Sequence, residues 1–223
     1  MVARPVFSHT PTLPYSHTII AEGTMSWIKT IPFEEATGRL RTIYERLKGP
    51  AGHIDNIMQV HSLRPHTLIG HMTLYKNVLH HTGNALPKWW LETLGVYVSL
   101  LNACAYCVEH HFAGLRGLLG VRAQAIRRAL ETNTFDGVFD EREQAALRYA
   151  ERLTRSPGAM ERADVEHLRQ AGFSEGEIVE MNQVVSYFAY ANRTVLGLGV
   201  TTDGDILGLS PGDSDNPDNW QHV

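Results

Sequence analysis

The sequence has few cysteines, no long hydrophobic run and little net charge. Two cysteines in 223 residues cannot build the disulfide framework of a small secreted scaffold. No run of 18 or more apolar residues is present, and the N-terminus lacks the hydrophobic core of a signal peptide, so we expect neither a membrane span nor secretion. The formal net charge of −4 gives no reason to expect a nucleic-acid partner. A cytoplasmic location follows by default.

Apolar residues recur with helical spacing along most of the chain, and no segment alternates as a strand would. We therefore predict an all-α fold. Asp140 is a predicted N-cap with Gln144 at the capping-box position. Residues 53–61 are predicted to be a connector with a helical turn, and the last helix is expected to break near Ser186. Proline and glycine separate the predicted helices, which cover residues 33–48, 65–81, 88–101, 103–119, 122–131, 141–155, 162–170 and 175–198.

The two ends of the chain differ in composition from the helical part. Residues 1–24 contain three prolines among polar residues and are predicted to form an extended arm. After Val200 the chain has five aspartates and no lysine or arginine, so residues 203–223 are predicted to form an exposed acidic tail. Residues 25–202 would then make up the helical domain.

Both cysteines lie in one short segment that also holds histidines. Cys104 and Cys107 are separated by two residues, and His111 follows four residues after the second cysteine. On a helix these positions share one face. Asn102 is a good N-cap residue and would place both cysteines in or near the first turn. That end of a helix favours a thiolate, and His111, or less favourably His110, could accept the thiol proton.

A CxxC pair has three common roles: a redox dithiol, half of a zinc site, or two buried small residues. A structural zinc site usually needs four nitrogen or sulfur ligands. Here Cys104, Cys107 and His111 could supply three, with Glu92 or His110 as a fourth. The redox role is favoured because Glu92 and His111 accompany the pair.

The spacing of these residues resembles the AhpD-like alkylhydroperoxidases of the carboxymuconolactone decarboxylase superfamily. In that family a glutamate precedes a CxxC by twelve residues, as Glu92 precedes Cys104, and a histidine follows the second cysteine by four, as His111 follows Cys107. The resemblance covers about residues 27–200. Tyr106 departs from the pattern, since the best-known members have a histidine at that position.

The likeness is greatest to the peroxidase-related branch, whose late helix carries a pair such as Asn192-Arg193. It implies an AhpD-like helical bundle with the CxxC at the N-terminal turn of a central helix. It also implies a homo-oligomer, either a trimer or a trimer-based hexamer. The two residues of the Asn-Arg pair could line a pocket, make a subunit contact, or form a buried pair that ties helices together.

The resemblance further implies a thiol-dependent peroxidase. Cys107 would be the peroxidatic nucleophile, Cys104 the resolving thiol, and His111 a general base oriented by Glu92. The substrate would be a hydroperoxide, and a dithiol, which in the family can be carried by a lipoyl-bearing protein, would reduce the resulting disulfide. No cofactor is expected. Two alternatives stay open: a dithiol-disulfide reductase or redox sensor without peroxide turnover, and a non-enzymatic helical module with structural zinc.

Glu92 can take part only if the chain reverses between it and the cysteines. In one straight helix, Glu92 and Cys104 would lie about 18 Å apart. We predict a break at Leu101-Asn102, after which the earlier helix runs back alongside the later one and brings the Glu92 carboxylate towards His111.

Two further residue types are abundant enough to need an interpretation. The histidines between residues 53 and 81 do not repeat along one helix face, so a metal site is not favoured and surface or interface positions are predicted. These histidines are His53, His61, His66, His71, His80 and His81. The four tryptophans are expected to supply core anchors and apolar surface between subunits, and they are Trp27, Trp89, Trp90 and Trp220.

Overall fold

The computed structural model describes residues 25–223, and the regular secondary structure of this part is helical, which confirms the predicted fold class. The predicted arm, residues 1–24, lies outside the described residues. None of the described helices combines the length and hydropathy needed to cross a bilayer. The helices are α1 (Gly38–Leu47), α2 (Asn56–Gln59), α3 (Pro65–Leu79), α4 (Lys88–Leu101), α5 (Ala105–Leu119), α6 (Arg122–Thr132), α7 (Glu141–Arg155), α8 (Arg162–Gln170) and α9 (Glu175–Leu198).

Helix α4 forms the centre of the bundle. Its residues 90–99 are all buried, and it packs against α5, α6, α7 and α9. A helix that is apolar on every side is stable only inside other structure. Gly95 lets α9 approach closely, because a Cβ atom at this position would lie 2.2 Å from the Phe188 ring. The position of α4 matters for function because Glu92 lies on it.

A local capping interaction explains where α7 begins. Asp140 caps α7 as predicted, but Glu143, rather than Gln144, completes the capping box. The Glu143 N–H donates to Asp140 Oδ1 at 2.7 Å, and the Asp140 N–H donates to Glu143 Oε2 at 2.9 Å.

Helix α9 continues without the predicted break at Ser186, which points outward while the residues on both sides of it are buried.

Residues 203–223 fold back onto the helices: four of their five aspartates are exposed, as predicted, but the prediction that the whole segment is exposed was wrong. Trp220 and His222 are only 3% and 4% exposed, and the Asp205 carboxylate is fully buried. The Arg46 guanidinium lies over the Trp220 ring at 3.8 Å, which covers the indole from the solvent side. An isolated bridge joins Pro211 to His222. We refer to residues 203–223 as the C-terminal segment.

Two exposed aspartates of the C-terminal segment pair with cations on the helices and so hold the segment in place. Asp213 Oδ1 lies 2.8 Å from Lys88 Nζ and 3.1 Å from His80 Nδ1. Asp218 Oδ1 lies 2.8 Å from Arg46 Nη2. Sequence composition alone could not identify these partners, which lie more than 120 positions away.

Candidate active site

A tight turn joins α4 to α5 and contains the first cysteine. Ala103 has a φ of 54°, in the left-handed region. The Cys104 N–H donates to the Ser99 carbonyl at 2.9 Å, and the Ala103 N–H donates to the Leu100 carbonyl at 3.0 Å. This pair of bonds is a Schellman motif, which ends a helix and reverses the chain. The predicted break after Leu101 is therefore confirmed.

Asn102 does not cap the second helix, contrary to prediction. It ends α4, and Cys104 occupies the N-cap position of α5, so that Cys107 lies in the first turn. The Asn102 side chain instead donates to Asn192 Oδ1 at 3.0 Å, while Asn192 Nδ2 donates to Ser99 Oγ at 3.1 Å. These bonds tie the turn to α9.

Asn192 and Arg193 do not act as a pair. Asn192 is fully buried beside the cysteines, and its side chain helps to lower the pKa of Cys104. Arg193 is exposed and donates to the Ala189 carbonyl one turn earlier on α9. Only the asparagine therefore belongs to the site.

The two cysteines are buried free thiols, and their pKa values shift in opposite directions. The pKa of Cys104 is lowered, chiefly because the Cys107 thiol can donate a hydrogen bond to its sulfur. The pKa of Cys107 is raised well above its ordinary value by the neighbouring Cys104 sulfur and by burial. Cys107 is the cysteine that lines the adjacent cavity.

Glu92 and His111 meet where α4 runs back alongside α5. His111 Nδ1 donates to Glu92 Oε2 at 2.7 Å. Burial alone would raise the pKa of Glu92, but the His111 imidazole, with smaller contributions from His80 and Lys88, lowers it. The carboxylate is therefore ionised and holds the proton of His111 on Nδ1, which leaves Nε2 as an acceptor. This contact confirms the predicted geometry.

Cys107, Glu92 and His111 all line one cavity of about 270 Å³. The cavity is large enough for a small organic molecule. Residues 207–210 of the C-terminal segment form part of its wall. Gly208 lies against α5, where a Cβ atom would come within 3.1 Å of the Ala113 and Gly114 backbone. Aromatic rings supply other parts of the wall, and these are His71, Tyr75 and Tyr187.

A second acid–histidine pair, which the sequence analysis missed, lies beside the first. Asp205 Oδ2 accepts hydrogen bonds from the Tyr106 hydroxyl at 2.7 Å and from His110 Nε2 at 3.1 Å. The Tyr106 and His110 rings stack with their centres 4.4 Å apart. Tyr106, which stands between the two cysteines in sequence, is therefore anchored to the C-terminal segment. Asp205 is 99 positions away from Tyr106, and no local pattern signals the contact.

Three of the histidines predicted to lie at the surface are buried. His61, His71 and His80 are 8%, 2% and 0% exposed. Burial lowers the pKa of His71 to about 3, so its ring is neutral. The His71 ring packs among the rings of Tyr75 and Tyr187, which accounts for its position on an inner helix face.

No protein-family model and no curated protein matches this sequence. Solved structures do match. One is an uncharacterized peroxidase-related protein from Ralstonia eutropha JMP134, described as an alkylhydroperoxidase AhpD core, with 21% identity and a TM-score of 0.67 over 80% of this chain and 92% of that one. Another is an uncharacterized peroxidase-related protein from Silicibacter sp. TM1040, with 25% identity and a TM-score of 0.65 over 83% and 94% of the two chains.

The debrominase Bmp8 also matches, with 17% identity and a TM-score of 0.62 over 81% of this chain and 92% of that one. A further structure of Bmp8 contains 2,3,4-tribromopyrrole. The fold therefore serves more than one kind of chemistry. The structural neighbours show that this chain has the fold of AhpD-like, peroxidase-related proteins, and the spacing of Glu92, Cys104, Cys107 and His111 supports the resemblance to that family.

Proposed function

We propose that the protein is a thiol-dependent peroxidase, which reduces a hydroperoxide to an alcohol and water while Cys104 and Cys107 become a disulfide. The observation that carries this proposal is the ionised Glu92 bonded to His111 Nδ1, in the cavity that Cys107 also lines. This arrangement leaves a basic nitrogen one helical turn from Cys107, on the same face of α5.

The first step creates a thiolate at the sulfur that substrate can reach. The Cys107–Cys104 hydrogen bond lets the remaining proton of a singly ionised pair pass to Cys104, so that the negative charge moves to Cys107. His111 Nε2 takes the proton that leaves the pair, and the Glu92 carboxylate stabilises the imidazolium. Cys107 is favoured over Cys104 as the nucleophile because of access to the cavity rather than because of its resting pKa.

The oxidation then proceeds in two displacements. The Cys107 thiolate attacks the terminal peroxide oxygen, the O–O bond breaks, and the departing alkoxide takes the proton from His111. Cys107 is now a sulfenic acid. The Cys104 sulfur attacks it, the S–S bond forms, and hydroxide leaves with the Cys104 proton as water. Two thiols have supplied the two electrons that the peroxide bond accepts.

An external dithiol must return the disulfide to two thiols. The family resemblance points to a lipoyl-bearing protein for this step. The cycle needs no bound cofactor. We place it in the cytoplasm, where dithiol reductants are present, and in a trimer or a trimer-based hexamer. Trp27, which is 64% exposed, supplies apolar surface for such an assembly, whereas Trp90 and Trp220 are buried within the chain.

The alternatives fit the site less well. A dithiol-disulfide reductase or sensor would exchange with disulfides on the body of another protein, yet Cys104 and Cys107 are 0% and 2% exposed, so the cavity favours small molecules and slender groups such as a lipoyl arm. A zinc site at the cysteines would need at least one further ligand close by. Within residues 25–223, the cysteines belong to no cluster of three or more close metal-binding groups, and His111 Nδ1 is bonded to Glu92.

The test is a count of thiols after one equivalent of oxidant. Hydrogen peroxide, tert-butyl hydroperoxide and cumene hydroperoxide should each convert two free thiols per chain to one intramolecular disulfide, and the organic peroxides should yield their alcohols. The Cys104→Ser/Cys107→Ser protein is the matched control and should consume no peroxide. If all three peroxides leave both thiols free while a bromopyrrole oxidises them and loses bromide, the protein is a dehalogenase instead.

A further inference from the structure

A second group of ionisable side chains lies beside the cavity and takes no part in the thiol cycle. His53 and Asp55 precede α2, and Asp205 reaches them from the C-terminal segment. His53 Nε2 lies 3.1 Å from Asp55 Oδ1 and 3.3 Å from Asp205 Oδ1. One ligand atom from each residue falls within 4.8 Å of the others. The 3.1 and 3.3 Å separations match those between atoms that share one metal ion at about 2.0–2.2 Å.

One buried oxygen in the group has no hydrogen-bond donor. Asp55 is 5% exposed, and its Oδ1 accepts no hydrogen bond, whereas buried carboxylate oxygens normally do. His53 Nε2 does not supply a well-directed donor, and the Ile206 backbone N–H approaches this nitrogen at 3.4 Å. Because His53 Nε2 accepts the Ile206 N–H, this nitrogen carries a lone pair. The lone pair of His53 Nε2 and the unpartnered Asp55 Oδ1 face each other, and a cation between them would stabilise both.

The two buried carboxylates of this group also favour a cation. The Asp55 and Asp205 side chains are 6% and 0% exposed, and buried carboxylates this close repel each other. His222 Nε2 lies 3.7 Å from Asp55 Oδ2.

The surroundings of Asp205 orient it for a ligand. Its Oδ2 accepts the hydrogen bonds from Tyr106 and His110, which turns Oδ1 towards His53. The Asn56 N–H donates to the same carboxylate at 3.0 Å. Hydrogen bonds of this kind fix the orientation of carboxylate ligands in metalloproteins.

We propose that His53, Asp55 and Asp205 bind one divalent transition-metal ion at the wall of the thiol cavity. One imidazole and two carboxylates form a mixed nitrogen and oxygen set, which suits Mn²⁺, Fe²⁺ or Zn²⁺ better than the all-oxygen sites of Ca²⁺ and Mg²⁺. The ion joins the loop before α2 to the C-terminal segment and so holds that segment over the cavity. The site stands on its own geometry and does not depend on the peroxidase reaction.

The test uses the Cys104→Ser/Cys107→Ser protein, because thiols also bind zinc. After dialysis against chelator, titration with Zn²⁺ by calorimetry, and with Mn²⁺ by electron paramagnetic resonance, should give one bound ion per chain. Adding Asp55→Asn or His53→Gln should weaken binding at least tenfold. Asp203→Asn is the matched control, because Asp203 is an exposed aspartate in the same segment, and it should leave binding unchanged.

Two results would overturn the proposal. The first is that no metal binds at concentrations up to millimolar, and the second is that binding survives both Asp55→Asn and His53→Gln. Helical circular dichroism checks that each variant is folded. A second measurement needs no variant at the site, because Mn²⁺ bound to the serine double variant should show coupling to an imidazole nitrogen. The absence of that coupling contradicts the assignment even if a substituted chain does not fold.

Discussion

Helix α5 carries two histidines in succession, and each bonds to a different carboxylate. His111 bonds to Glu92, which is 19 positions away on the neighbouring helix of a tight hairpin. His110 bonds to Asp205, which is 95 positions away on the C-terminal segment. The first contact forms once α4 and α5 pair, whereas the second requires the C-terminal segment to dock. In the proposed cycle the His111 pair transfers protons, whereas the His110 pair holds the C-terminal segment over the cavity.

The largest expected effect separates the two histidines directly. His111→Ala should slow peroxide reduction by roughly 10²–10⁴, because a general base contributes about that much. His110→Ala, on the next residue of the same helix, should slow it by less than about tenfold. Stopped-flow measurement of the tryptophan signal or of thiol loss at one pH gives both rates. If both variants lose the same fraction of the rate of peroxide reduction, the two histidines do not have different roles.

The docking of the C-terminal segment can be tested through its buried indole. Trp220→Ala should lower the free energy of unfolding by about 3 kcal/mol, because Trp220 is 3% exposed and its removal leaves a cavity. Val121→Ala is the control at a position that is 96% exposed, and it should cost well under about 1 kcal/mol. Chemical denaturation measures both values. A Trp220→Ala protein as stable as the parent would mean that the C-terminal segment does not contribute to the fold.

The two carboxylates should differ in which kinetic parameter they affect. Glu92→Gln should lower kcat by roughly 10–100-fold, as expected for a residue that orients another, with little change in KM. Asp205→Asn should act mainly on KM, because Asp205 anchors the segment that lines the cavity. Steady-state peroxide consumption with a dithiol reductant separates the two parameters. A KM effect for both variants, with kcat unchanged, would remove Glu92 from the chemistry.

The Glu92–His111 contact also predicts how stability depends on pH. Because the folded state lowers the pKa of Glu92 below its ordinary 4.5, the stabilisation is present above that pH and is lost as the pH falls through the lower folded value. Unfolding free energies of the parent and Glu92→Gln should therefore differ at pH 7 and converge below pH 4.5. A gap that stays constant across this range would mean that the carboxylate charge does not matter.

The smallest expected effect concerns Ala103, in the turn that lets Glu92 reach His111. Ala103 holds a left-handed conformation that costs a non-glycine residue roughly 1–2 kcal/mol. After the greater freedom of glycine in the unfolded chain is subtracted, Ala103→Gly should stabilise the protein by about 0.5–1 kcal/mol. Ala105→Gly, two residues later in α5, should destabilise it by a similar amount. Thermal melting of both variants measures this opposite response.

Local features of the sequence predicted what depends on near neighbours. Apolar periodicity located the helices, and the glutamate-to-CxxC spacing brought Glu92 into the site. Asn102 was assigned to the wrong helix end because an asparagine at a helix boundary suits either end. Only the left-handed residue that follows it, Ala103, decides which helix it serves. A good capping residue in the sequence therefore predicts a helix boundary, but it does not predict whether one helix ends there or the next one begins.

What the sequence could not predict depends on distant contacts. Asp205 was placed in an exposed tail because five aspartates without a basic residue suggested solvation. In the structure, partners on α5 and before α2 bury it. Periodicity carries no information about partners 99 positions apart, and so Tyr106 and His110 could not be linked to Asp205 in advance.

The central claim is that Cys107, although its pKa is raised, attacks the peroxide because it lines the cavity. Dimedone trapping followed by mass spectrometry tests this most directly. With one equivalent of peroxide, Cys104→Ser should carry one dimedone adduct on Cys107, and Cys107→Ser should carry none. An adduct on Cys104 in the Cys107→Ser protein, with Cys107 unlabelled in Cys104→Ser, would contradict the account and reverse the two roles.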